Sequence, residues 1–169
     1  MGKLLCEMMK KALFYTAALL LCTSSALADT RIPGSKVSYN SKGVYVDERY
    51  DTIGKTYLAI LCKNGAPEIS IFSKNALASE QASPHIDVQW TRDSEYLGTS
   101  DGTVRRDRQS GQLSVWTMDR SYTAALFLEM HSAKSSLSAT VFRGGLSPVT
   151  FTFPTKGIHT ALQAVDYCR

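Results

Sequence analysis

The sequence predicts a mainly β protein, an antiparallel β-sandwich or curved sheet with one C-terminal α-helix. After the first 28 residues, apolar and polar residues alternate far more often than apolar residues recur every three or four positions. Alternation of this kind is typical of half-buried strands. Gly, Asn, Asp and Pro residues stand between many of the alternating segments, as turns require. A last segment, after Thr155, has the helical period instead.

Residues 1–28 have the features of a secretory signal peptide. Three lysines precede an apolar run, ALFYTAALLLC, and the segment ends in Ala-Leu-Ala, which is the usual order of regions in such signals. The run is shorter than the ~20 apolar residues that span a membrane. We expect cleavage near Ala28, a periplasmic location, and no stable membrane insertion of the mature chain. A start at Met8 or Met9 and a lipid anchor on Cys22 are the alternatives.

The mature chain divides into a flexible leader, residues 29–42, and a single β-rich periplasmic domain, residues 43–169. The first stretch of the leader, DTRIPGSK, contains Pro and Gly and shows no clear pattern. Cleavage of the signal removes three lysines and Glu7, so the net charge falls from +4 to +2. A charge this close to neutral does not favour a nucleic-acid partner.

The strand segments of the domain follow one another with turn signals between them. In chain order they are GVYVDERY, TYLAILCK, EISIFSK, HIDVQWTRD, GQLSVWTMD, AALFLEM, LSATVFR and VTFTF. Asn64-Gly65 lies between two of them, so LAILCKNGAPEISIFS predicts a β-hairpin. Arg143-Gly144-Gly145 marks a later turn.

The chain ends in a segment with helical spacing. After Thr155, a candidate cap, the apolar residues are spaced three and four apart on one stripe, which predicts an amphipathic helix; they are Ile158, Ala161, Leu162 and Val165. Three residues further, the same stripe reaches Cys168. We therefore expect Cys168 on the helix face that packs against the sheet.

A disulfide between Cys62 and Cys168 is the simplest use of the two cysteines that remain after signal cleavage. Leu58, Ile60 and Cys62 alternate onto one face of a predicted strand, and this face is expected to meet the helix. Disulfides form in exported compartments. Two free buried thiols are the alternative.

Motifs for catalysis, metal binding or cofactor binding do not stand out. The histidines are far apart in sequence, at His85, His131 and His159, and each is interpreted as a surface or structural residue. Metalloprotease, nucleophile-elbow and phosphate-loop motifs do not occur. Acidic residues lack calcium-loop spacing. We predict that the protein is not an enzyme and has neither cofactor nor metal; a hydrolase with an unrecognised site is the alternative.

The segment TSDGTVRRDRQSG is the candidate partner-binding loop. Its charged residues would face an anionic or protein partner; they are Asp101, Arg105, Arg106, Asp107 and Arg108. A solvated hairpin whose charges partly neutralise one another is the alternative interpretation.

Aromatic residues supply a second candidate surface. Trp90 and Trp116 lie in strand patterns and are predicted to pack in the core. Four tyrosines could line a binding surface or stand on edge strands; they are Tyr39, Tyr45, Tyr50 and Tyr57.

Residues 43–169 resemble a family of type VI secretion-associated periplasmic proteins called VasI or TagO, and more distantly the invasion-associated locus B type proteins. The resemblance rests on LAILCKNGAPEISIFS, on HIDVQWTRD followed by QLSVWTMD, and above all on ATVFRGGLSPVTFTFPTKGIHTALQAVDYCR. The matching residues are framework positions: Cys62, Trp116, Phe153, Gly157, Leu162 and Cys168.

The resemblance implies an exported accessory protein of the bacterial envelope that acts by protein binding, with an envelope or secreted protein as its partner. The alternative function is that of a periplasmic inhibitor or immunity protein against a cell-wall hydrolase or an incoming effector, with a protruding loop from Gly102 to Gly111 as its contact.

Overall fold

The computed structural model describes residues 29–165. The predicted signal peptide and Cys168 lie outside these residues, so both stay predictions. Ten strands and two helices follow in chain order: β1 (Thr30–Arg31), β2 (Val37–Asn40), β3 (Gly43–Asp47), β4 (Tyr57–Lys63), β5 (Ala66–Phe72), β6 (His85–Arg92), β7 (Glu95–Arg106), β8 (Leu113–Met118), α1 (Arg120–Ser132), β9 (Ser136–Val141), β10 (Val149–Pro154) and α2 (Ile158–Ala164).

All ten strands belong to one antiparallel sheet, in the order β1-β2-β3-β4-β5-β8-β7-β6-β9-β10. The sheet is strongly curved, because β10 contacts β3 although the two strands are far apart in this order. Register irregularities at Trp90/Thr91 and Arg105/Arg106 add local bends. The prediction of a mainly β fold is confirmed, in its curved-sheet form.

The hairpin predicted around Asn64-Gly65 is confirmed. Lys63 pairs with Ala66, so the turn between β4 and β5 has two residues. Both have positive φ, 55° at Asn64 and 71° at Gly65. This is the type I′ geometry that Asn-Gly favours and that matches the twist of the flanking strands.

One hydrophobic core lies on the concave face of the sheet. Trp90 and Trp116 are almost fully buried, with ring centroids 6.0 Å apart, as predicted. Each indole N–H has an acceptor: Trp90 donates to Ser100 Oγ at 2.8 Å, and Trp116 donates to the Ile86 carbonyl at 3.1 Å. These bonds remove the cost of burying an unsatisfied donor.

Helix α1 corrects the prediction of a strand at AALFLEM. The segment lies within the helix Arg120–Ser132 and packs against β5. Its buried residues, Thr123, Leu126 and Met130, are three and four positions apart, which is the helical period. Ala, Leu, Glu and Met are good helix formers, so local preference and spacing both favour the observed helix.

Helix α2 confirms the predicted apolar stripe. Ile158, Ala161 and Leu162 are buried, and the helix packs against β2 and β3. The cap differs from the prediction: Gly157, with φ of 96°, precedes the helix. Thr155 instead donates from its hydroxyl to the carbonyl oxygen of Ala133 at 3.2 Å, and thus joins the two helices.

The segment 29–42 also differs from its prediction as a flexible leader, because it contains β1 and β2. Val37 is fully buried and pairs with Val46 of β3. Strand β2 has only four residues, which are too few for the alternation of apolar and polar side chains to stand out in the sequence. The folded region therefore begins before residue 43.

Cys62 lies near the end of β4, on the strand face that also carries Leu58 and Ile60. Their register partners on β3 are Val46 and Val44, which are buried in the core that α2 completes. This is the face on which the prediction places Cys62. Since Cys168 is outside the described residues, the Cys62–Cys168 bond stays a prediction.

Candidate functional site

A shallow groove of about 430 Å³ lies on the face of β1–β4 that points away from the core. Ser38 pairs with Tyr45, and Asp47 pairs with Tyr57, so their side chains share this face. We call it the outer groove; it is lined by Asp29, Arg31, Ser38, Asn40, Tyr45, Asp47, Gly54 and Tyr57. Two of the four tyrosines considered from the sequence lie here, whereas Tyr39 packs against the core.

The floor of the outer groove is aromatic. Tyr57 stacks on Phe72 with a centroid distance of 4.6 Å and meets Tyr45 edge-on at 6.1 Å. Burial, with smaller contributions from nearby negative charge, raises the pKa of Tyr57 to about 12. Burial also raises the pKa of Tyr45. Both phenols therefore remain neutral hydrogen-bond donors and acceptors at physiological pH.

Paired polar side chains form the rim of the outer groove. Arg31 Nη2 and Asp47 Oδ2 are 2.7 Å apart in an ion pair. Asn40 donates to Asp29 Oδ1 at 2.7 Å, and its own Oδ1 lies 3.4 Å from the hydroxyl of Tyr45. An aromatic floor with donors and acceptors around it suits a partly polar ligand, such as an extended peptide segment.

Residues 48–56, the loop between β3 and β4, border the groove; we call them the 48–56 loop. Two buried carboxylates hold its backbone. Glu48 Oε2 accepts hydrogen bonds from the N–H groups of Tyr50 and Asp51 at 2.7 and 2.8 Å. The carboxylate of Asp51 accepts from the N–H groups of Ile53, Lys55 and Thr56 at 3.0, 3.0 and 2.5 Å.

The electrostatics of Asp51 favour its ionised form in the folded protein. Burial opposes ionisation, but the hydrogen bonds from the Ile53 and Thr56 backbone N–H groups outweigh it, so the pKa of Asp51 is lowered. A charged carboxylate is a stronger acceptor than a neutral one. The carboxylate network therefore fixes the 48–56 loop at neutral pH.

The same loop exposes two large side chains. Tyr50 is 76% exposed and Ile53 is 65% exposed. Neither side chain is needed to hold the backbone, because Glu48 and Asp51 do so. Tyr50 was predicted within a strand, but β3 ends at Asp47. Asp side chains often bind nearby N–H groups in turns, so Asp51 gives a weak signal of this loop, whereas Glu48 gives none.

The predicted partner-binding loop has a different structure from the one expected. Asp101, Arg105 and Arg106 lie in β7, so the segment from Gly102 to Gly111 is not one protruding loop; only residues 107–112 connect β7 to β8. The strand pairs with β6 and β8 along this stretch, which leaves little of it free to protrude.

The charges of this segment are partly neutralised. Arg106 forms an ion pair with Glu80 and donates to the Gly111 carbonyl at 2.9 Å. Asp107 Oδ2 accepts from the Ser110 N–H at 2.9 Å, and this bond lowers the pKa of Asp107. Arg105 and Arg108 are exposed. The geometry matches the alternative interpretation, a solvated hairpin; a role in partner binding stays a prediction.

The structure brings two histidines together that the sequence keeps apart. His131 in the last turn of α1 and His159 in the first turn of α2 have their Nδ1 atoms 3.3 Å apart. His85 begins β6 and is exposed. Sequence reasoning missed the pair, because it depends on how the two helices pack.

Comparison with protein-family models, with curated proteins and with solved structures finds no match for this chain. The helices within residues 29–165 are too short or too polar to cross a membrane.

Proposed function

We propose that the protein is an exported periplasmic binding protein that recognises another envelope or secreted protein and does not act as a catalyst. The observation that carries the proposal is the 48–56 loop, which exposes Tyr50 and Ile53 from a backbone held by buried carboxylates. Exposed aromatic and aliphatic side chains on a rigid support are typical anchors of protein interfaces.

The support of the loop matters for affinity as well as for shape. A flexible loop loses conformational freedom on binding, which opposes association. The N–H groups of Tyr50, Asp51, Ile53 and Thr56 are already bonded in the free protein. Binding would therefore require little further ordering of this backbone.

The outer groove extends the proposed contact surface. Its polar rim and tyrosine floor adjoin the loop through Gly54. A partner segment that contacts Ile53 can continue across Tyr45 and Tyr57, where neutral hydroxyls offer hydrogen bonds. Interfaces of this kind combine an apolar anchor with a polar surround.

The proposed partner is a component of a type VI secretion apparatus. This assignment is supported by the resemblance of Cys62, Trp116, Phe153, Gly157 and Leu162 to the framework of the secretion-associated family. An inhibitor or immunity role uses the same kind of recognition against a single hydrolase or effector, and the test below separates the two.

The test is photo-crosslinking in the periplasm from a photoreactive residue placed at Tyr50 or, as a control, at Tyr96. Tyr96 is 61% exposed on β7, outside the groove and the loop. We expect the residue at position 50 to capture one defined partner that position 96 does not. A secretion-apparatus component favours the accessory role; one wall hydrolase or toxin favours the inhibitor.

Variants then test whether the loop provides the binding energy. The double variant Tyr50→Ala, Ile53→Ser should weaken binding of the captured partner by at least about tenfold, and Tyr96→Ala should not. Equal affinity of the double variant and the parent protein would exclude the 48–56 loop as the contact.

A further inference from the structure

The pair formed by His131 and His159 has the geometry of a metal chelate. Two imidazole nitrogens that bind one zinc ion at about 2.0–2.1 Å with a tetrahedral angle lie roughly 3.3–3.4 Å apart. The Nδ1 atoms of His131 and His159 are separated by 3.3 Å. The same separation also lies within hydrogen-bonding range of two imidazole nitrogens, with the donor set by the tautomers of the rings. The observed spacing therefore matches shared coordination of one ion.

Both rings are presented to solvent. His131 and His159 are exposed, while their neighbours Met130 and Ile158 are buried in the core. The ring planes are nearly perpendicular, at 81°, with centroids 5.3 Å apart. An ion can therefore reach the nitrogens without opening the core.

The backbone that carries the pair is fixed on both sides. Thr155 donates from its N–H to the Ser135 carbonyl at 3.0 Å and from its hydroxyl to the Ala133 carbonyl at 3.2 Å, which ties the end of α1 to the start of α2. Phe127 packs edge-on against His131 at 5.0 Å. Because the backbone is already held, metal binding would mainly have to order the two imidazole side chains.

The side chain of Asp93 holds the connection from α1 to β9. The carboxylate of Asp93 accepts hydrogen bonds from the N–H groups of Lys134, Ser135 and Ser136 at 2.7, 2.8 and 2.9 Å, and from the Ser135 hydroxyl at 2.6 Å. This network fixes the residues that follow His131. The fold thus fixes the backbone that follows His131.

We propose that His131 and His159 together bind one divalent transition-metal ion of the zinc type through their Nδ1 atoms. Imidazole is a preferred ligand of such ions. Within residues 29–165, no three or more His, Cys, Asp and Glu side chains converge on a point. The remaining coordination positions are filled by water, or by a donor from a protein partner.

The proposal extends beyond the recognition role, because the histidines lie where α1 meets α2 and belong neither to the outer groove nor to the 48–56 loop. Failure of the metal proposal would leave the loop proposal unaffected.

The test is calorimetric titration of Zn²⁺ into the oxidised protein, purified without a histidine tag. We expect one equivalent per chain, bound in the micromolar range. His131→Ala and His159→Ala should each weaken binding at least about tenfold, and His85→Ala, the matched control on β6, should bind like the parent. Absence of binding, or equal binding by the double variant, would overturn the proposal.

A second measurement does not depend on the folding of any variant. Long-range ¹H–¹⁵N spectra of the parent protein distinguish the two imidazole nitrogens. Addition of Zn²⁺ should shift the Nδ1 resonances of two histidines and leave the His85 ring unchanged. Coordination through Nε2 atoms, or at His85 alone, would contradict the proposed site.

Discussion

The backbone of Arg49 donates a 2.7 Å hydrogen bond to the carbonyl oxygen of Thr152, which lies on the last strand of the sheet. The N–H of Thr152 in turn donates to Glu48 Oε1 at 3.3 Å. Both backbone groups of Thr152 are thus occupied by the 48–56 loop. This contact joins two distant positions of the curved sheet and covers part of the β10 edge, which would otherwise be open to pairing with other strands.

Glu48→Ala should destabilise the protein by about 2–4 kcal/mol, because the N–H groups of Tyr50 and Thr152 would lose their side-chain acceptor. The Asp51 N–H would keep only its 3.3 Å bond to the backbone carbonyl of residue 48. Urea denaturation measures the change. Glu68→Ala, which removes a pair with Lys63 that is partly open to solvent, is the control and should cost less than about 1 kcal/mol. Similar losses for both variants would show that Glu48 has no special role.

Cys62→Ala and Cys168→Ala should lower the melting temperature equally, and the double variant should be no worse than either. A disulfide that closes a loop of roughly 100 residues contributes up to about 4–5 kcal/mol in the chain-entropy model. Calorimetry of the three variants measures the effect. Free thiols in the oxidised parent protein would disprove the bond.

Asp93→Asn should lower the free energy of unfolding at neutral pH. It should also make that free energy depend less on pH in the acidic range. Hydrogen bonds from the Ser135 hydroxyl and from the Ser136 and Lys134 N–H groups lower the pKa of Asp93. The ionised Asp93 therefore stabilises the fold fully at a pH above 3.8, the ordinary pKa of the group. This contribution is lost as the pH falls through the lower pKa of Asp93 in the folded protein. Asn also tolerates the positive φ of 49° at this position.

Urea midpoints from pH 3 to pH 7 measure this effect. The difference between the parent protein and Asp93→Asn should shrink below about pH 4. Asp87→Asn, at an exposed carboxyl on β6, serves as the control and should differ little from the parent. A difference for Asp93→Asn that is constant with pH would contradict the assigned role.

Gly102→Ala should destabilise the protein by about 1–3 kcal/mol, the usual cost of overpacking. An added Cβ would lie 2.4 Å from the Thr117 carbonyl oxygen and 2.5 Å from the ring of Trp116. The Thr117 backbone and the Trp116 ring would both have to shift, or the backbone at position 102 would have to move away from them. Thermal unfolding measures the change, and an unchanged melting temperature would mean that the sheet adjusts freely there.

The sequence predicted those elements whose residue pattern depends only on near neighbours in the chain. Alternation and the Asn64-Gly65 pair predicted the β4–β5 hairpin, and spacing predicted Ile158, Ala161 and Leu162 as the buried face of α2. It was misleading at α1, because a short apolar run suits a strand as well as a helix. The dense Ala and Leu content of that run favours a helix.

The candidate sites were harder to predict. Glu48 and Asp51 act through hydrogen bonds to backbone N–H groups, which leave little trace in residue patterns. The meeting of His131 with His159 depends on the packing of two separate helices. Of the four tyrosines considered as a binding surface, Tyr45 and Tyr57 lie in the outer groove and Tyr50 is exposed on the 48–56 loop, whereas Tyr39 packs against the core.

In the 48–56 loop, the residues that hold the backbone are not the residues that would contact a partner. Glu48 and Asp51 bond to main-chain N–H groups, which every residue except proline supplies. Positions 50 and 53 can therefore change their side chains while the loop keeps its path. Such a loop can be diversified, by selection or in a designed library, to recognise new partners on an unchanged scaffold.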